Sequence, residues 1–383
     1  MTSIPILTTE GDAHACGLAH GRRFAQEIAD NMATYLRRFA VSGLDRERAF
    51  AEAETWRKAI AAQNPGYAEE MRGIADGSGQ SEATIALLNA RYELAFTLFG
   101  QEARQVARQV AGQETARQAA TEQLLAIGPD GCTTFGLLPE ATADRHAWLG
   151  QNWDWLEGVR GRTFVLQAQR KTQPSFICLT EAGIAGGKMG VNECGIGIVE
   201  NGLASSHDGR NPYQKPFHVR CREVLDAQDF DEATRPVTDT PRTCSANFVV
   251  GVAGGKIVDL ETSPDHVTEL YPEGGAITHS NHFLTPGHGE SLLEKIAPNT
   301  LYRAQRMREL LAPQRAPVSF DRMRAAAADH FGAPSGICRH PDASEPAARR
   351  TMTVGAVLID LDARTMHVAN GPPCSNDYVA FRV

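Results

Sequence analysis

The sequence changes character at Gly131 and Cys132. Before this point, apolar residues recur at helical spacing in residues 15–40, 46–62 and 82–99. After it, short runs rich in β-branched and aromatic residues follow one another, most of them separated by glycine-containing turns. A succession of strands with helices grouped at the ends is typical of the α+β class. We therefore predict two layers of sheet covered by helices, with a helical N-terminal region.

Individual elements can be predicted from the same patterns. The glycine-rich residues 73–79 are predicted to form a turn between helices. Residues 101–123 are polar and lack a broad apolar stripe, which indicates a solvated helix or a mobile linker. Helical pattern returns at residues 218–226 and 299–311. The predicted strands are residues 148–155, 163–169, 175–180, 196–200, 247–252, 256–261, 352–360 and 365–370.

Composition excludes several classes of function. The 383 residues carry a formal net charge of −8, which argues against a nucleic-acid partner because such proteins present a basic face. No apolar segment has the length of a membrane span, and the N-terminus lacks the pattern of a secretory signal. The eight cysteines form no CxxC pair, so neither structural zinc nor a disulfide framework is expected. We expect a cytoplasmic, reduced protein with no membrane partner.

The pair Gly131–Cys132 suggests a specific chemistry. A thiol is the most nucleophilic common side chain near neutral pH, and a preceding glycine leaves an unhindered carbonyl beside it. Attack by Cys132 on the Gly131 carbonyl would give a thioester that water opens. Cleavage would free the α-amino group of Cys132, whose ordinary pKa of about 7.7–8 suits a general base. Nucleophile and base would then belong to one residue.

The motifs resemble those of a known family of self-processing enzymes. Six of them, in order along nearly the whole chain, resemble the autoproteolytic family typified by acyl-coenzyme A:6-aminopenicillanic acid acyltransferase, among the N-terminal nucleophile hydrolases. They are Gly17-Leu-Ala-His-Gly21, Glu70-Met-Arg-Gly-Ile-Ala-Asp-Gly-Ser-Gly79, Asn89-Ala-Arg-Tyr-Glu-Leu94, Gly131-Cys-Thr-Thr134 with Gly150-Gln-Asn-Trp-Asp154, Ser245-Ala-Asn-Phe248 with Thr278-His-Ser-Asn-His-Phe283, and Gly371-Pro-Pro-Cys374.

This resemblance implies an αββα sandwich and cleavage between Gly131 and Cys132. The products would be an α chain, residues 1–131, and a β chain, residues 132–383, that stay associated. It further implies catalytic roles for Asp154, beside the new terminus, and for Asn281, whose amide N–H would donate to the oxyanion. The resemblance also implies that four residues line the pocket or support the catalytic groups: Thr133, Asn152, Ser245 and Asn247.

Two positions depart from the related sequences. Gln151 stands where bile-salt hydrolases and penicillin V acylases carry an arginine, three residues before the aspartate. This difference argues against bile-salt-like activity and favours the acyltransferase branch. The stretch Thr351-Met-Thr-Val-Gly355 lacks the serine expected in a Thr-x-x-Ser pattern.

Several functions remain open at this point. We favour hydrolysis of a small N-acyl amide through a Cys132 thioester, with acyl-coenzyme A-dependent N-acyl transfer as the alternative. No cofactor is expected, although a coenzyme A thioester is a possible acyl donor, and an oligomer is possible. An unprocessed, non-catalytic binding protein is a further alternative. So is a conventional cysteine hydrolase that uses His279, His282 or His340. A metal site at His279, His282 and His288 is not predicted, because their spacing matches no standard ligand pattern.

Overall fold

The computed structural model describes residues 4–109 and 131–383. Its described part combines helices with two β-sheets, which confirms the predicted α+β class. None of the described helices combines the length and the apolar character needed to span a lipid bilayer.

One sheet has eight strands and is antiparallel apart from its first pair. Its strand order is β1-β4-β5-β6-β7-β8-β9-β10. β1 pairs in parallel with β4, so the first described residues of the chain add a strand to this sheet. The strands are β1 (Ile6–Glu10), β4 (Thr163–Gln169), β5 (Phe176–Glu181), β6 (Gly190–Asn192), β7 (Ile196–Gly202), β8 (Ala246–Val252), β9 (Lys256–Ser263) and β10 (His266–Leu270).

The other sheet has six strands in the order β11-β2-β3-β12-β13-β14, and all of its neighbouring pairs are antiparallel. The strand that contains Cys132, β2, lies between β11 and β3, one strand in from the edge. The strands are β2 (Gly131–Leu137), β3 (Trp148–Leu156), β11 (Ala276–His279), β12 (Thr351–Asp360), β13 (Thr365–Ala369) and β14 (Tyr378–Arg382).

The helices fall into a group before β2 and a group after it. Those before β2 are α1 (Ala13–Arg23), α2 (Ala25–Val41), α3 (Arg46–Gln63), α4 (Pro65–Ser78), α5 (Glu82–Asn89) and α6 (Arg91–Gln109). Those after it are α7 (Phe217–Leu225), α8 (Phe230–Thr238), α9 (Leu293–Ile296), α10 (Asn299–Leu311) and α11 (Phe320–Ala327). The predicted helix at residues 299–311 has the observed bounds. The predicted segment 101–123 is helical up to Gln109, and residues 110–123 lie outside the described chain.

The two sheets pack face to face. β2 and β3 of the six-stranded sheet contact β7 and β8 of the eight-stranded sheet, and β13 contacts β5 and β6. Helices α7 and α8 cover the eight-stranded sheet, while α10 covers the six-stranded sheet with α11 packed against it. This order of layers is the predicted αββα sandwich. The buried apolar side chains between the layers form its main core.

The prediction of a turn at residues 73–79 is wrong, because α4 continues to Ser78 and only Gly79, its C-cap, leaves the helical conformation. Its glycines serve the packing of α4 against α1. A Cβ built on Gly73 would lie 2.2 Å from the His14 carbonyl oxygen, and one on Gly17 would lie 2.0 Å from the Glu70 carbonyl oxygen. Glycines on both helices therefore let the two backbones touch, an arrangement that local turn statistics do not reveal.

Candidate active site

Cys132 lies near the start of β2 and is 3% exposed. In the pairing of β2 with β3, Gly131 is opposite Asp154 and Cys132 is opposite Trp153. The sheet register therefore brings together the predicted cleavage pair and the predicted catalytic aspartate, which are separated by more than twenty residues in sequence.

Both backbone groups of Cys132 are held by side chains. Its amide nitrogen donates to Oδ1 of Asn281 over 2.9 Å, and its carbonyl oxygen accepts from Nη1 of Arg303 over 2.5 Å. Arg303 also donates through Nη2 to the same Asn281 oxygen, over 2.7 Å. The nucleophile candidate, Asn281 and Arg303 thus form a closed, buried ring of hydrogen bonds.

The orientation of the Asn281 amide follows from its partners. Its oxygen accepts from two donors, and its nitrogen donates to the Gly202 carbonyl oxygen over 2.9 Å. Exchanging the oxygen and nitrogen would break these contacts. The hydroxyl of Thr300 accepts from the Asn281 backbone amide over 2.7 Å and fixes the segment. The group facing the Cys132 amide is therefore the oxygen, and oxyanion donation by Asn281 stays a prediction.

Arg303 is a cation in a buried position. It projects from α10 and is 0% exposed. Burial, followed by the nearby Arg339 guanidinium, lowers the pKa of Arg303 to about 10, while Asp154 and Cys132 oppose this shift. The side chain therefore remains charged at neutral pH and places a positive charge beside Cys132.

Asp154 is fully buried and interacts with Arg339 and Thr353. Its Oδ2 lies 3.4 Å from Nε of Arg339, and its Oδ1 accepts from the Thr353 hydroxyl over 2.6 Å. Arg339 also packs directly on the predicted cleavage position, since a Cβ built on Gly131 would lie 2.7 Å from its Cζ. A glycine is therefore required before Cys132 if Arg339 is to keep this place.

The positions implied as secondary have separate tasks. The Thr133 hydroxyl accepts from Nη1 of Arg303 over 2.9 Å, directly beside Cys132. Asn152 donates to the carbonyl oxygens of Ala327 and Ile337, each over 2.8 Å. It therefore ties β3 to the segment that leads to Arg339.

Ser245 and Asn247 lie on the other sheet or at its border. Ser245 donates to the buried carboxylate of Asp208 over 2.6 Å. Asn247 accepts from Asn201 over 2.7 Å, and Asn201 also lies 2.7 Å from the Thr134 hydroxyl. Asn247 is thus linked to β2 through one intervening side chain, whereas the described hydrogen bonds of Ser245 serve a different cluster.

Gln151 joins the two sheets. Its Nε2 donates to the Glu200 carbonyl oxygen over 2.6 Å, and its Oε1 accepts from the Glu200 amide over 2.9 Å. Gln151, the residue that departs from the bile-salt hydrolase pattern, lies on β3, next to the strand of Cys132. It therefore hydrogen-bonds across to the backbone of β7.

Two of the candidate histidines, His279 and His282, contact groups other than Cys132. His279 contacts the Glu261 carboxylate through Nε2 over 2.9 Å and the Ser280 carbonyl oxygen through Nδ1 over 2.8 Å. Burial lowers its pKa, but the carboxylates of Asp259 and Glu261 outweigh burial and raise it to about 9. Nδ1 of His282 contacts the Thr300 hydroxyl, 3.1 Å away.

A cavity lined by Cys132 has aromatic and charged walls. Nζ of Lys188 lies 3.6 Å from the centre of the Trp153 ring and 3.8 Å from Oε1 of Glu200. The free volume is only about 10 Å³, about the room that one water molecule needs. In the described part of the uncleaved chain the cavity thus has no room for an acyl group. The other lining residues are Arg91, Tyr92, Trp155, Gly202, Phe217 and His218.

Sequence reasoning missed Arg303, Arg339 and Thr353. Arg303 is one of several arginines in a helical pattern, and only the fold distinguishes it. Thr353 does lie in the segment noted for its missing serine, so that departure marked the correct region.

A family model and a curated relative that match this sequence both carry the name acyl-coenzyme A:6-aminopenicillanic acid acyltransferase. The sequence model of acyl-coenzyme A:6-aminopenicillanic acid acyl-transferase matches residues 141–373, which include Asp154, Asn281, Arg303 and Arg339 but begin after Cys132. The acyl-coenzyme A:6-aminopenicillanic-acid-acyltransferase 40 kDa form of Emericella nidulans is 28% identical over 319 residues, which cover 82% of this chain and 77% of that protein.

Solved structures with some similarity include three hydrolases. The Caenorhabditis elegans N-acylethanolamine-hydrolyzing acid amidase ortholog has a TM-score of 0.46 at 14% identity, covering 60% of this chain and 93% of its own. Penicillin V acylase from Agrobacterium tumefaciens has a TM-score of 0.40 at 14% identity, covering 66% and 86%. A variant of conjugated bile acid hydrolase from Clostridium perfringens has a TM-score of 0.43 at 14% identity, covering 66% and 97%. Because the family model spans more than half of its residues, this chain belongs to the acyl-coenzyme A:6-aminopenicillanic acid acyl-transferase family.

Proposed function

We propose that the chain cleaves itself between Gly131 and Cys132 and then acts as an amidohydrolase with Cys132 as its N-terminal nucleophile. Membership of an acyltransferase family supports acyl chemistry. The observation that carries the proposal is the clamp on Cys132, whose amide is bonded to Asn281 and whose carbonyl is bonded to Arg303. Such a clamp fixes the geometry that attack on a neighbouring carbonyl requires.

Self-cleavage balances without any co-reactant other than water. The Cys132 sulfur forms a bond to the Gly131 carbonyl carbon, the carbon–nitrogen bond breaks, and the thiol proton goes to the departing Cys132 nitrogen. Water then hydrolyses the thioester, which leaves a Gly131 carboxylate and regenerates the thiol. Arg339, packed against Gly131, and the buried Asp154 provide fixed charges beside the reacting bond.

In the mature enzyme the same nitrogen becomes the α-amino group. Asn281 Oδ1 already lies 2.9 Å from it and would accept a hydrogen bond from the amine. The nearby positive charge of Arg303 favours the neutral form of the amine, which is the form that acts as a base. The amine takes the thiol proton while Cys132 attacks the substrate carbonyl, and it returns a proton to the leaving amine. The contacts of His279 with Glu261 and Ser280 favour this over a histidine base.

The substrate we propose is a small N-acyl amide. The walls beside Cys132 are partly aromatic, which suits the apolar part of an acyl group, but the cavity would first have to widen from its volume of about 10 Å³. Water is then the acceptor of the thioester. The alternative is transfer from an acyl-coenzyme A thioester to an amine, the activity named in the family's description. Both reactions share one acyl-enzyme and differ only in donor and acceptor.

The first experiment is the intact mass of freshly purified protein under denaturing conditions. Wild type and the control Cys194→Ala, at a half-buried thiol, should give fragments 1–131 and 132–383, whereas Cys132→Ala should stay a single chain. A wild-type chain that remains whole on prolonged incubation would overturn self-processing and favour the binding-protein alternative. Cleavage in Cys132→Ala would exclude Cys132 as the attacking group.

A second experiment distinguishes hydrolysis from transfer. The processed enzyme is incubated with N-acyl amides and with acyl-coenzyme A thioesters, each with and without an added amine. Release of free acid from amides supports the amidohydrolase. Acylated amine formed only from thioesters would support the transferase instead.

A further inference from the structure

Four potential metal ligands converge at a place separate from Cys132. The donor atoms of His330, Cys338, His340 and Cys374 all lie within 4.8 Å of one another. Nε2 of His340 lies 3.0 Å from Nε2 of His330, 3.7 Å from Sγ of Cys338 and 3.4 Å from Sγ of Cys374. Two thiols and two imidazoles thus point at one small volume.

These separations fit the edges of a tetrahedron around zinc. Zinc lies about 2.0–2.1 Å from histidine nitrogen and about 2.3 Å from cysteine sulfur. A regular tetrahedron with such bonds has edges of about 3.3 Å between nitrogens and about 3.6 Å between nitrogen and sulfur. The observed distances of 3.0, 3.4 and 3.7 Å differ from these edges by a few tenths of an ångström.

We propose that His330, Cys338, His340 and Cys374 bind one Zn²⁺ ion in a structural site. Two sulfurs and two nitrogens in tetrahedral arrangement are the donor set that selects zinc. Four protein ligands leave no position for a substrate, as is typical of structural rather than catalytic zinc. Both thiols would bind as thiolates, so each releases its proton when the metal enters.

Structural zinc was not expected from the sequence, because the eight cysteines form no CxxC pair. His330, Cys338 and His340 lie in one segment, but Cys374 lies in the turn between β13 and β14. Only the fold brings this turn next to the segment.

The site has a clear structural task. Residues 328–350, between α11 and β12, contain no helix or strand, and a connection this long needs other means of holding its shape. Arg339 lies between two of the ligands and is the residue that contacts Gly131 and Asp154. Zinc bound to Cys338 and His340 would hold the backbone on both sides of Arg339. We therefore assign the four ligands a positioning role for Arg339.

The test is metal content measured on the full, untagged chain expressed in zinc-supplemented medium. Plasma mass spectrometry should find about one zinc per chain in wild type, in Cys132→Ala and in the control Cys194→Ser. Cys374→Ser, at an exposed position that folding should tolerate, should fall below about 0.1 zinc per chain. Because Cys132→Ala is included, the result is independent of self-processing.

Cys338→Ser removes a buried ligand and is the variant at risk of misfolding. Release of zinc from wild type by a coloured chelator, with a lowered Tm, gives a second measure that needs no variant. Wild type without zinc, with both thiols free, would overturn the proposal. A Cys338–Cys374 disulfide, seen as a chain lighter by two hydrogens, would also overturn it. Equal zinc in wild type and Cys374→Ser would do the same.

Discussion

The guanidinium of Arg303 donates to the carbonyl oxygen of Cys132 over a distance of 2.5 Å. The same guanidinium also donates through Nη2 to Oδ1 of Asn281. One residue of α10 therefore holds both Cys132 and Asn281 in place. This arrangement makes the geometry of Cys132 depend on a residue more than 150 positions away in the sequence.

Replacing Arg303 with lysine should slow self-cleavage without abolishing it. A lysine keeps the charge but cannot reproduce the forked contacts to Cys132 and Asn281. Loss of one charge-assisted hydrogen bond of about 1.5–3 kcal/mol predicts a rate about 10- to 100-fold lower. Fragment appearance is followed by gel and mass spectrometry. Arg308→Lys, on the exposed face of the same helix, should process at the wild-type rate, and equal rates in both variants would contradict the prediction.

Asp154 and Arg339 should show strong coupling in a double-mutant cycle. Each is buried, so Asp154→Asn or Arg339→Met leaves an uncompensated charge and should cost about 3–5 kcal/mol of unfolding free energy. The double variant should lose less than the sum of the two. Denaturant unfolding on the uncleaved Cys132→Ala background measures this. Additive losses would show that the pair does not interact.

Gly73→Ala should destabilise the protein by about 1–3 kcal/mol, because the new methyl group would meet the α1 backbone. Gly66→Ala provides the matched control on α4, since its Cβ would have 3.7 Å to the nearest atom. The control should be neutral or stabilising by up to about 1 kcal/mol. Thermal unfolding of both variants on the Cys132→Ala background decides the matter, and similar Tm values would refute close packing at Gly73.

His20 should make the protein acid-sensitive. Burial lowers its pKa to about 3, and its Nε2 accepts from the Gly183 amide over 3.0 Å. Below the ordinary pKa of 6.5 the unfolded chain takes up a proton that the folded chain does not. This part of the stability is therefore complete above pH 6.5 and is lost as pH falls towards 3. Between pH 7 and pH 5 the loss should be about 2 kcal/mol.

The variant His20→Gln tests whether stability is lost as pH falls, because glutamine can still accept the hydrogen bond from the Gly183 amide but does not titrate. The variant's unfolding free energy should fall by about 2 kcal/mol less than that of wild type between pH 7 and pH 5. If the unfolding free energies of the two proteins fell equally with pH, His20 would take up its proton at the same pH in the folded and the unfolded chain.

Regular elements were predictable where their pattern is local. The strand predicted at residues 163–169 and the helix at 299–311 have the observed bounds, because alternation and helical spacing are visible along the chain. β1 was missed because it is a short edge strand without a marked alternation. Gly73 and Gly77 resembled turn residues, and their role depends on a partner helix that the sequence does not place beside them.

The residues of the candidate active site were predictable only where they stand in recognisable sequence motifs. Cys132, Asp154 and Asn281 stand in motifs that resemble a known family, and the fold brings them together, although their roles stay predictions. Arg303 and Arg339 have no such local mark. Their function arises from burial beside Cys132 and Gly131, which only the packing of α10 and of residues 328–350 determines.

The parallel pairing of β1 with β4 has a consequence for the processed enzyme. Residues before the proposed cut supply an edge strand to a sheet whose other strands follow it. If the chain is cut as proposed, we therefore expect this segment to stay bound as a subunit and not to leave as a propeptide. Dissociating the two fragments would expose the open edge of β4 and the core beneath α1, so separation would amount to unfolding. The proposed cut would therefore turn one gene product into an obligate heterodimer.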